Sequence, residues 1–134
     1  MHEIDVFLLK DSTGKASIKV EPELIGVHSG DTVFWHFHSL LGDDAKWVEI
    51  EVAPGDDSVA SPFFECRGTS PQARCWTELK WGHGHLVATA PDLAPRPGIR
   101  NNKYFVRAYK SEPTEYDPAS ASVTEDPNII VCDP

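Results

Sequence analysis

Basic residues are scarce in this 134-residue chain, which carries 12 Lys and Arg against 21 Asp and Glu, a formal net charge of -9. Nonspecific binding to nucleic acid depends on clustered Lys and Arg, so this balance argues against nucleic acid as a partner. It argues equally against anionic membrane surfaces. The charge either serves solubility alone or provides an acidic face for a basic partner.

Long apolar runs are also missing, because no stretch approaches the ~20 apolar residues that a membrane helix requires. The first residues, MHEIDVFLLKDSTGK, have no basic start and no small-residue cleavage site, so they do not resemble a signal peptide. We therefore expect a cytoplasmic protein with no membrane partner.

Cysteine is limited to Cys66, Cys75 and Cys132. An odd number without a signal peptide favours reduced thiols. Cys66 and Cys75 flank the turn-rich stretch RGTSPQAR, so a disulfide or a shared metal between them stays open. Two ordinary thiols are the favoured interpretation.

No segment shows a sustained helical period, and apolar residues mostly alternate with polar ones, which is typical of half-buried strands. In the clearest strand, TVFWHFHS, Val33, Trp35 and Phe37 lie on one face and Phe34, His36 and His38 on the other. Eight or nine short strands are predicted, with one helical turn near 39–44 or 117–122. The pattern predicts an all-β, two-sheet sandwich of mixed Greek-key topology as a single domain over residues 1–134.

The segment ASIKVEPELIGVHSGDTVFWHF resembles the opening of a cupredoxin-like domain, with a strand kinked at Glu21-Pro22 and a Gly30-Asp31 turn before an aromatic strand. The late pair YFVRAY and DPNIIV is similar to two strands that lie together in that family. The resemblance covers about half the chain and implies a cupredoxin-like sandwich. An immunoglobulin-like sandwich is the alternative.

The resemblance does not extend to a type 1 copper site, which in that family uses two His, one Cys and a weak axial Met. Cys132 is followed only by Asp133 and Pro134, no His lies after His85, and the sole Met is Met1. We therefore expect no electron-transfer copper.

Four histidines form two HxH pairs, His36 with His38 and His83 with His85. On a strand each pair points one way, so two converging pairs would offer nitrogen ligands to Zn or Cu. Alternatively, His36 and His38 are ordinary outward residues and His83 and His85 lie in a glycine-rich turn. The same imidazoles could also form a surface that responds to pH near ~6.5.

No nucleophile elbow, phosphate-binding glycine loop or HExxH helix is present, and no catalytic residue is assigned. A Cys75–His83 pair meeting across a turn is the remaining basis for a small enzyme.

Four tryptophans supply candidate interface anchors. Trp47 is out of phase with the apolar residues of its strand, and of Trp76 and Trp81 one should face outward. The leading hypothesis is a non-enzymatic binding or accessory module without a cofactor. It would bind another protein through Trp47 and Trp76 or Trp81, together with the acidic 112–126 loop. A His-based Zn or Cu protein and a small Cys/His enzyme are the alternatives.

Overall fold

The computed structural model describes residues 2–28, 30–52, 73–89 and 98–133. Ten strands make up most of this part of the chain. They are β1 (His2–Lys10), β2 (Ala16–Glu21), β3 (Leu24–Val27), β4 (Thr32–Ser39), β5 (Trp47–Val52), β6 (Ala73–Glu78), β7 (His83–Thr89), β8 (Gly98–Tyr109), β9 (Val123–Glu125) and β10 (Asn128–Asp133). Two short 3-10 turns, Gly42–Asp44 and Pro118–Ser120, fall inside the two segments where the sequence predicts a helical turn.

The strands form two sheets. The first has the order β2-β1-β4-β7, and the second has the order β3-β10-β8-β5-β6 with β9 paired to β8. Both are mixed, because β1 runs parallel to β4 and β3 runs parallel to β10, while the other pairs are antiparallel. The prediction of an all-β two-sheet sandwich is confirmed.

The chain passes from the first sheet to the second at Glu21-Pro22. β2 ends at Glu21 on the edge of the first sheet, and β3 begins at Leu24 on the edge of the second. Proline lacks the N–H that a ladder needs, so it suits such a crossing between two edge strands. The predicted kink is therefore confirmed.

The core lies between the two sheets and follows the two-residue rhythm of the strands. From β4, Val33 and Trp35 are fully buried and Phe37 is 1% exposed, as the sequence predicts. The indole of Trp35 meets the ring of Tyr104, on β8 of the opposite sheet, edge to face with centroids 5.6 Å apart. Aromatic pairs of this geometry are favourable beyond their buried area, so this contact helps to join the sheets.

The largest local difference from expectation concerns residues 79–85. One of the alternatives left open by the sequence is a glycine-rich turn at His83 and His85. In the structure β6 ends at Glu78, Trp81 and Gly82 form the turn, and β7 begins at His83. The prediction of a turn at His83 and His85 is wrong, because β4 supplies a full antiparallel partner for these residues.

Candidate functional site

The four paired histidines meet on the outer face of the first sheet. β4 and β7 are antiparallel in a register that sets His36 opposite His85 and His38 opposite His83. Val33, Trp35 and Phe37 point inward from β4, so the alternate residues face out. We call His36, His38, His83 and His85 the imidazole quartet. The sequence predicts two separate pairs, and the register brings them together.

Backbone hydrogen bonding shows how close the opposed side chains are. Ser39 donates its N–H to the carbonyl of Gly82 over 2.8 Å. Since hydrogen-bonded and non-hydrogen-bonded pairs alternate along an antiparallel ladder, both opposed His pairs occupy non-hydrogen-bonded positions. Side chains are nearest at these positions. The rings of His38 and His83 meet edge to face with centroids 5.5 Å apart.

Two carboxylates of β1 border the quartet. The Nε2 of His36 lies 3.3 Å from Oε1 of Glu3, and the Nε2 of His38 lies 3.1 Å from Oδ1 of Asp5. Phe7 stacks on His38 at 5.1 Å between centroids. Within the described ranges, and with the side chains oriented as they are in the structure, no group of three or more His, Cys, Asp or Glu residues could hold a metal ion.

Trp81 occupies an unusual position at the tip of the β6–β7 hairpin. Lys80 and His83 exchange backbone hydrogen bonds of 2.8 and 3.0 Å around a two-residue turn. Both turn residues have positive φ, 56° at Trp81 and 76° at Gly82. Such turns favour Gly, Asn or Asp, and a bulky side chain there is a genuine outlier. The Trp81 side chain makes little contact with the rest of the protein, since it is 98% exposed.

A cleft of about 550 Å³ lies beside this hairpin. Trp81 and Leu40, itself 78% exposed, lie on its walls. Asp43, Lys46 and Glu78 also line it. We call this feature the Trp81 cleft. It combines two exposed apolar side chains with charged groups around them.

The other two candidate tryptophans differ from each other. Trp47 is half-buried at the start of β5, opposite Glu78 and Tyr109, so it lies at the same end of the sandwich as the Trp81 cleft. Trp76 is 5% exposed, and its Nε1 donates to Oε1 of Glu112 over 3.2 Å. Trp76 is therefore not a free interface residue. The expectation that one of Trp76 and Trp81 faces outward is met by Trp81.

Trp76 packs beside a buried cluster of charged residues that the sequence pattern does not reveal, with the guanidinium of Arg74 4.9 Å from its ring centroid. On the outer face of the second sheet, Glu49 and Glu51 are fully buried, and Arg74 and Arg107 are 4% and 5% exposed. Nη1 of Arg107 lies 3.1 Å from Glu49 and 2.7 Å from Glu51. We call these four residues the ion quartet. Its two positive and two negative charges balance, as buried charges require.

Residues 111–117, which we call the strap, cover the ion quartet. The carbonyl of Pro113 accepts a hydrogen bond of 2.7 Å from Nη2 of Arg74, and the Tyr116 hydroxyl donates to Oε1 of Glu51 over 3.0 Å. The guanidinium of Arg74 lies 5.1 Å from the Tyr116 ring centre. Part of the predicted acidic loop is therefore a structural cover, with Glu115 and Asp117 on its exposed side.

Electrostatics around the ion quartet follow from burial and neighbouring charge. Burial raises the pKa of Tyr109, and the negative charge of Glu49 raises it further. Burial and the bond to Glu51 likewise raise the pKa of Tyr116. Burial alone would lower the pKa of Arg107, but its hydrogen bonds to Glu51 and Glu49 have the larger combined effect and raise the pKa.

Cys75 does not offer a catalytic thiol. It faces the core opposite Ile50 and is disulfide-bonded. The expectation of an ordinary reduced thiol is wrong for Cys75, because an odd number of cysteines still leaves room for one bridge. Whether Cys66 is the partner lies outside the described residues. His83 faces outward on the other sheet, so Cys75 and His83 are not brought together.

The helices among the described residues are the two 3-10 turns, and neither has the length or apolar character to cross a membrane.

Comparison with known proteins finds similarity among solved structures alone. No protein-family model matches the chain. No curated protein matches it either. Among solved structures, a pseudoazurin from Sinorhizobium meliloti, a cupredoxin, is similar over 100% of this chain and 76% of its own, with 17% identity and a TM-score of 0.37. The all-β sandwich architecture of this chain is shown by its own two sheets.

Proposed function

We propose that the protein is a non-enzymatic binding module that docks a protein partner at the Trp81 cleft. The observation that carries the proposal is the conformation of Trp81. A tryptophan at φ 56° in a two-residue turn costs stability, and at 98% exposure it gains almost no packing in return. Local strain of this kind is concentrated at functional sites.

The surroundings of Trp81 support a protein as the occupant. Tryptophan is among the commonest residues that dominate binding energy, and it works best next to a pocket that excludes water. Leu40 supplies a second exposed apolar side chain in the same cleft, and Trp47 lies nearby at the start of β5. Apolar anchors ringed by charged residues are typical of protein interfaces.

Charge indicates the chemistry of the partner. Residues 112–126 contain five acidic and no basic residues. The backbone N–H of Lys46 donates to the backbone carbonyl of Tyr109 over 2.9 Å. Tyr109 lies two residues before the strap begins, so the strap starts at the same end of the sandwich as Trp47. We assign the partner as a protein segment with an apolar side chain for the cleft and Lys or Arg for Glu115 and Asp117 on the exposed side of the strap. Such complementarity speeds association and depends on salt.

The disulfide at Cys75 bears on where binding takes place. Disulfides persist in oxidising compartments and are rare in the cytoplasm. We therefore propose an oxidising compartment in place of the cytoplasmic location predicted from the sequence.

The test compares capture of protein partners from the native cell by matched variants. Trp81→Asn and Leu40→Ser remove the cleft anchors, while Leu24→Ser removes an apolar side chain that is 58% exposed on the edge strand β3. A partner held by the parent and by Leu24→Ser, but lost from both cleft variants, supports the proposal. With that partner purified, each cleft variant should weaken binding by at least about tenfold. Equal capture by all four proteins contradicts it.

A further inference from the structure

The first sheet does not need four histidines on its outer face in order to fold. Outward positions of a half-buried sheet accept most polar residues, and the core of β4 and β7 is filled by the alternate residues. His83 and His85 are exposed, and His36 and His38 are half-exposed. His36 and His38 stack on Phe34 and Phe7, but core packing does not require the exposed His83 and His85 beside them.

The spacing of the quartet suits a metal ion. Two imidazoles at positions i and i+2 of one strand share a face, and a cross-strand pair at a non-hydrogen-bonded position brings two Cβ atoms within about 5.5 Å. Both relations occur twice here, in a two-by-two array. Neutral imidazole nitrogens are preferred ligands of Zn²⁺ and Cu²⁺.

The neighbouring carboxylates have the arrangement of supporting groups around a metal site. Metal-binding histidines commonly donate their second ring N–H to a carboxylate, which fixes the tautomer and the ring orientation. Glu3 and Asp5 face the Nε2 atoms of His36 and His38 in this way. If Nε2 carries the proton, the Nδ1 atoms of His36 and His38 are left as lone-pair donors.

We propose that the imidazole quartet binds one Zn²⁺ or Cu²⁺ ion on the outer face of the first sheet, with Glu3 and Asp5 orienting the two imidazoles of β4. Because no three ligand groups in the described part of the chain could hold a metal ion in their present orientations, binding requires the exposed rings of His83 and His85 to rotate toward those of His36 and His38. The site takes a resident ion rather than an electron-transfer copper.

The chain offers a matched control for this site. His2 and His28 lie away from the quartet, where both approach Asp31, at 2.8 and 3.8 Å. A His2→Gln/His28→Gln variant removes as many imidazoles as His36→Gln/His85→Gln or His38→Gln/His83→Gln. It therefore separates the quartet from general affinity of histidine for metals.

Isothermal titration with ZnCl₂ and with CuCl₂, on protein without a His tag, tests the proposal. We expect one equivalent to bind the parent and the His2/His28 control alike. Each quartet variant should lose affinity at least about tenfold, and Glu3→Gln should lose about tenfold. Saturating metal should raise the Tm of the parent by about 5 °C. Imidazole NMR signals broadened by Cu²⁺ should belong to the quartet.

Two outcomes would overturn the site. One is binding weaker than about 100 µM for both ions, which is too weak to keep a resident ion in place. The other is binding that persists in both quartet variants and disappears in the His2/His28 control. Circular dichroism of each variant confirms that the sheet is intact, so a loss of affinity reports on ligands rather than on folding.

Discussion

Arg74 and Glu49 form a buried ion pair whose side chains are 2% and 0% exposed. Nε of Arg74 lies 2.8 Å from Oε2 of Glu49, and Nη2 donates to the same oxygen. The other carboxylate oxygen, Oε1, accepts from the Tyr109 hydroxyl at 3.0 Å and from Arg107. Both oxygens of this carboxylate are therefore satisfied by charged or hydroxyl donors.

Removing one member of this pair should be strongly destabilising. Glu49→Gln leaves the Arg74 guanidinium buried without its counter-charge, and we expect a loss of about 3 kcal/mol in the free energy of unfolding. Urea denaturation measures it. Glu21→Gln is the matched control, because the Lys19–Glu21 pair is equally short at 2.9 Å but more than half exposed. That variant should leave the denaturation midpoint unchanged.

A double variant tests whether the charge is the cause. Glu49→Gln/Arg74→Gln removes both charges of the pair, so it should be less destabilised than the sum of the two single variants. Strict additivity would show that Glu49 and Arg74 do not interact energetically, in conflict with the structure.

The tyrosines should resist ionisation in the folded protein. The pKa values of Tyr104, Tyr109 and Tyr116 are all raised, in each case first by burial. Unfolded tyrosine titrates near ~10, so above that pH the unfolded chain releases protons that the folded chain retains. Stability is thus fully present below pH ~10 and falls as pH rises toward the folded pKa values.

Phenolate absorbance recorded during an alkaline titration checks this prediction. We expect little phenolate just above pH ~10, and then a cooperative rise that coincides with loss of β-sheet circular dichroism. Tyr109→Phe, which removes a group facing Glu49, should lessen the loss of stability at high pH. Phenolate that appears with an ordinary midpoint while the sheet remains folded would contradict the raised pKa values.

The alternation of apolar residues predicted the sandwich and the inward face of β4. Side chains of a strand alternate between its two faces, so once one face is apolar that face must point into the core. In β4 this buries Val33, Trp35 and Phe37. The meeting of the two HxH pairs could not be derived, since it depends on the β4–β7 register. A strand assignment at His83 would have provided that signal, but the flanking glycines favoured a turn.

The ion quartet was hidden for a different reason. Glu49 and Glu51 alternate with Val48 and Ile50, as residues facing water do. Local alternation gives the same pattern whether water or another segment of chain covers the polar face. The strap is the cover, and it is distant in sequence from β5 and β6. One feature of the sequence could have indicated the ion quartet. Arg74 and Arg107 lie in two other strand segments, and each could pair with Glu49 or Glu51.

Replacing Trp81 by asparagine should stabilise the protein. Asparagine tolerates the left-handed backbone conformation at φ 56°, whereas the same conformation destabilises a folded protein by about 1 kcal/mol when a bulky L-residue adopts it. We expect Trp81→Asn to raise the free energy of unfolding by about 1 kcal/mol in urea denaturation. Trp81→Ala keeps the unfavourable conformation and should change stability little. A loss of stability in both variants would mean that the indole packs on the protein, contrary to its exposure.

Gly82 should tolerate substitution less well than Gly14, although both have positive φ, 76° and 82°. A Cβ at Gly82 would lie 2.7 Å from the carbonyl oxygen of Ser39, whereas one at Gly14 meets nothing within 4 Å. Gly14→Ala therefore measures the backbone cost alone, about 1 kcal/mol. Gly82→Ala adds the clash with the end of β4 and should lose about 1–3 kcal/mol more.

Urea denaturation of the two variants gives the difference, and amide hydrogen exchange locates it. In Gly82→Ala the extra loss should come with faster exchange at Ser39, whose N–H donates to the Gly82 carbonyl. Protection should be unchanged there in Gly14→Ala. Equal destabilisation by the two substitutions would mean that the hairpin tip is not held against Ser39, and the turn that presents Trp81 would then be free to move.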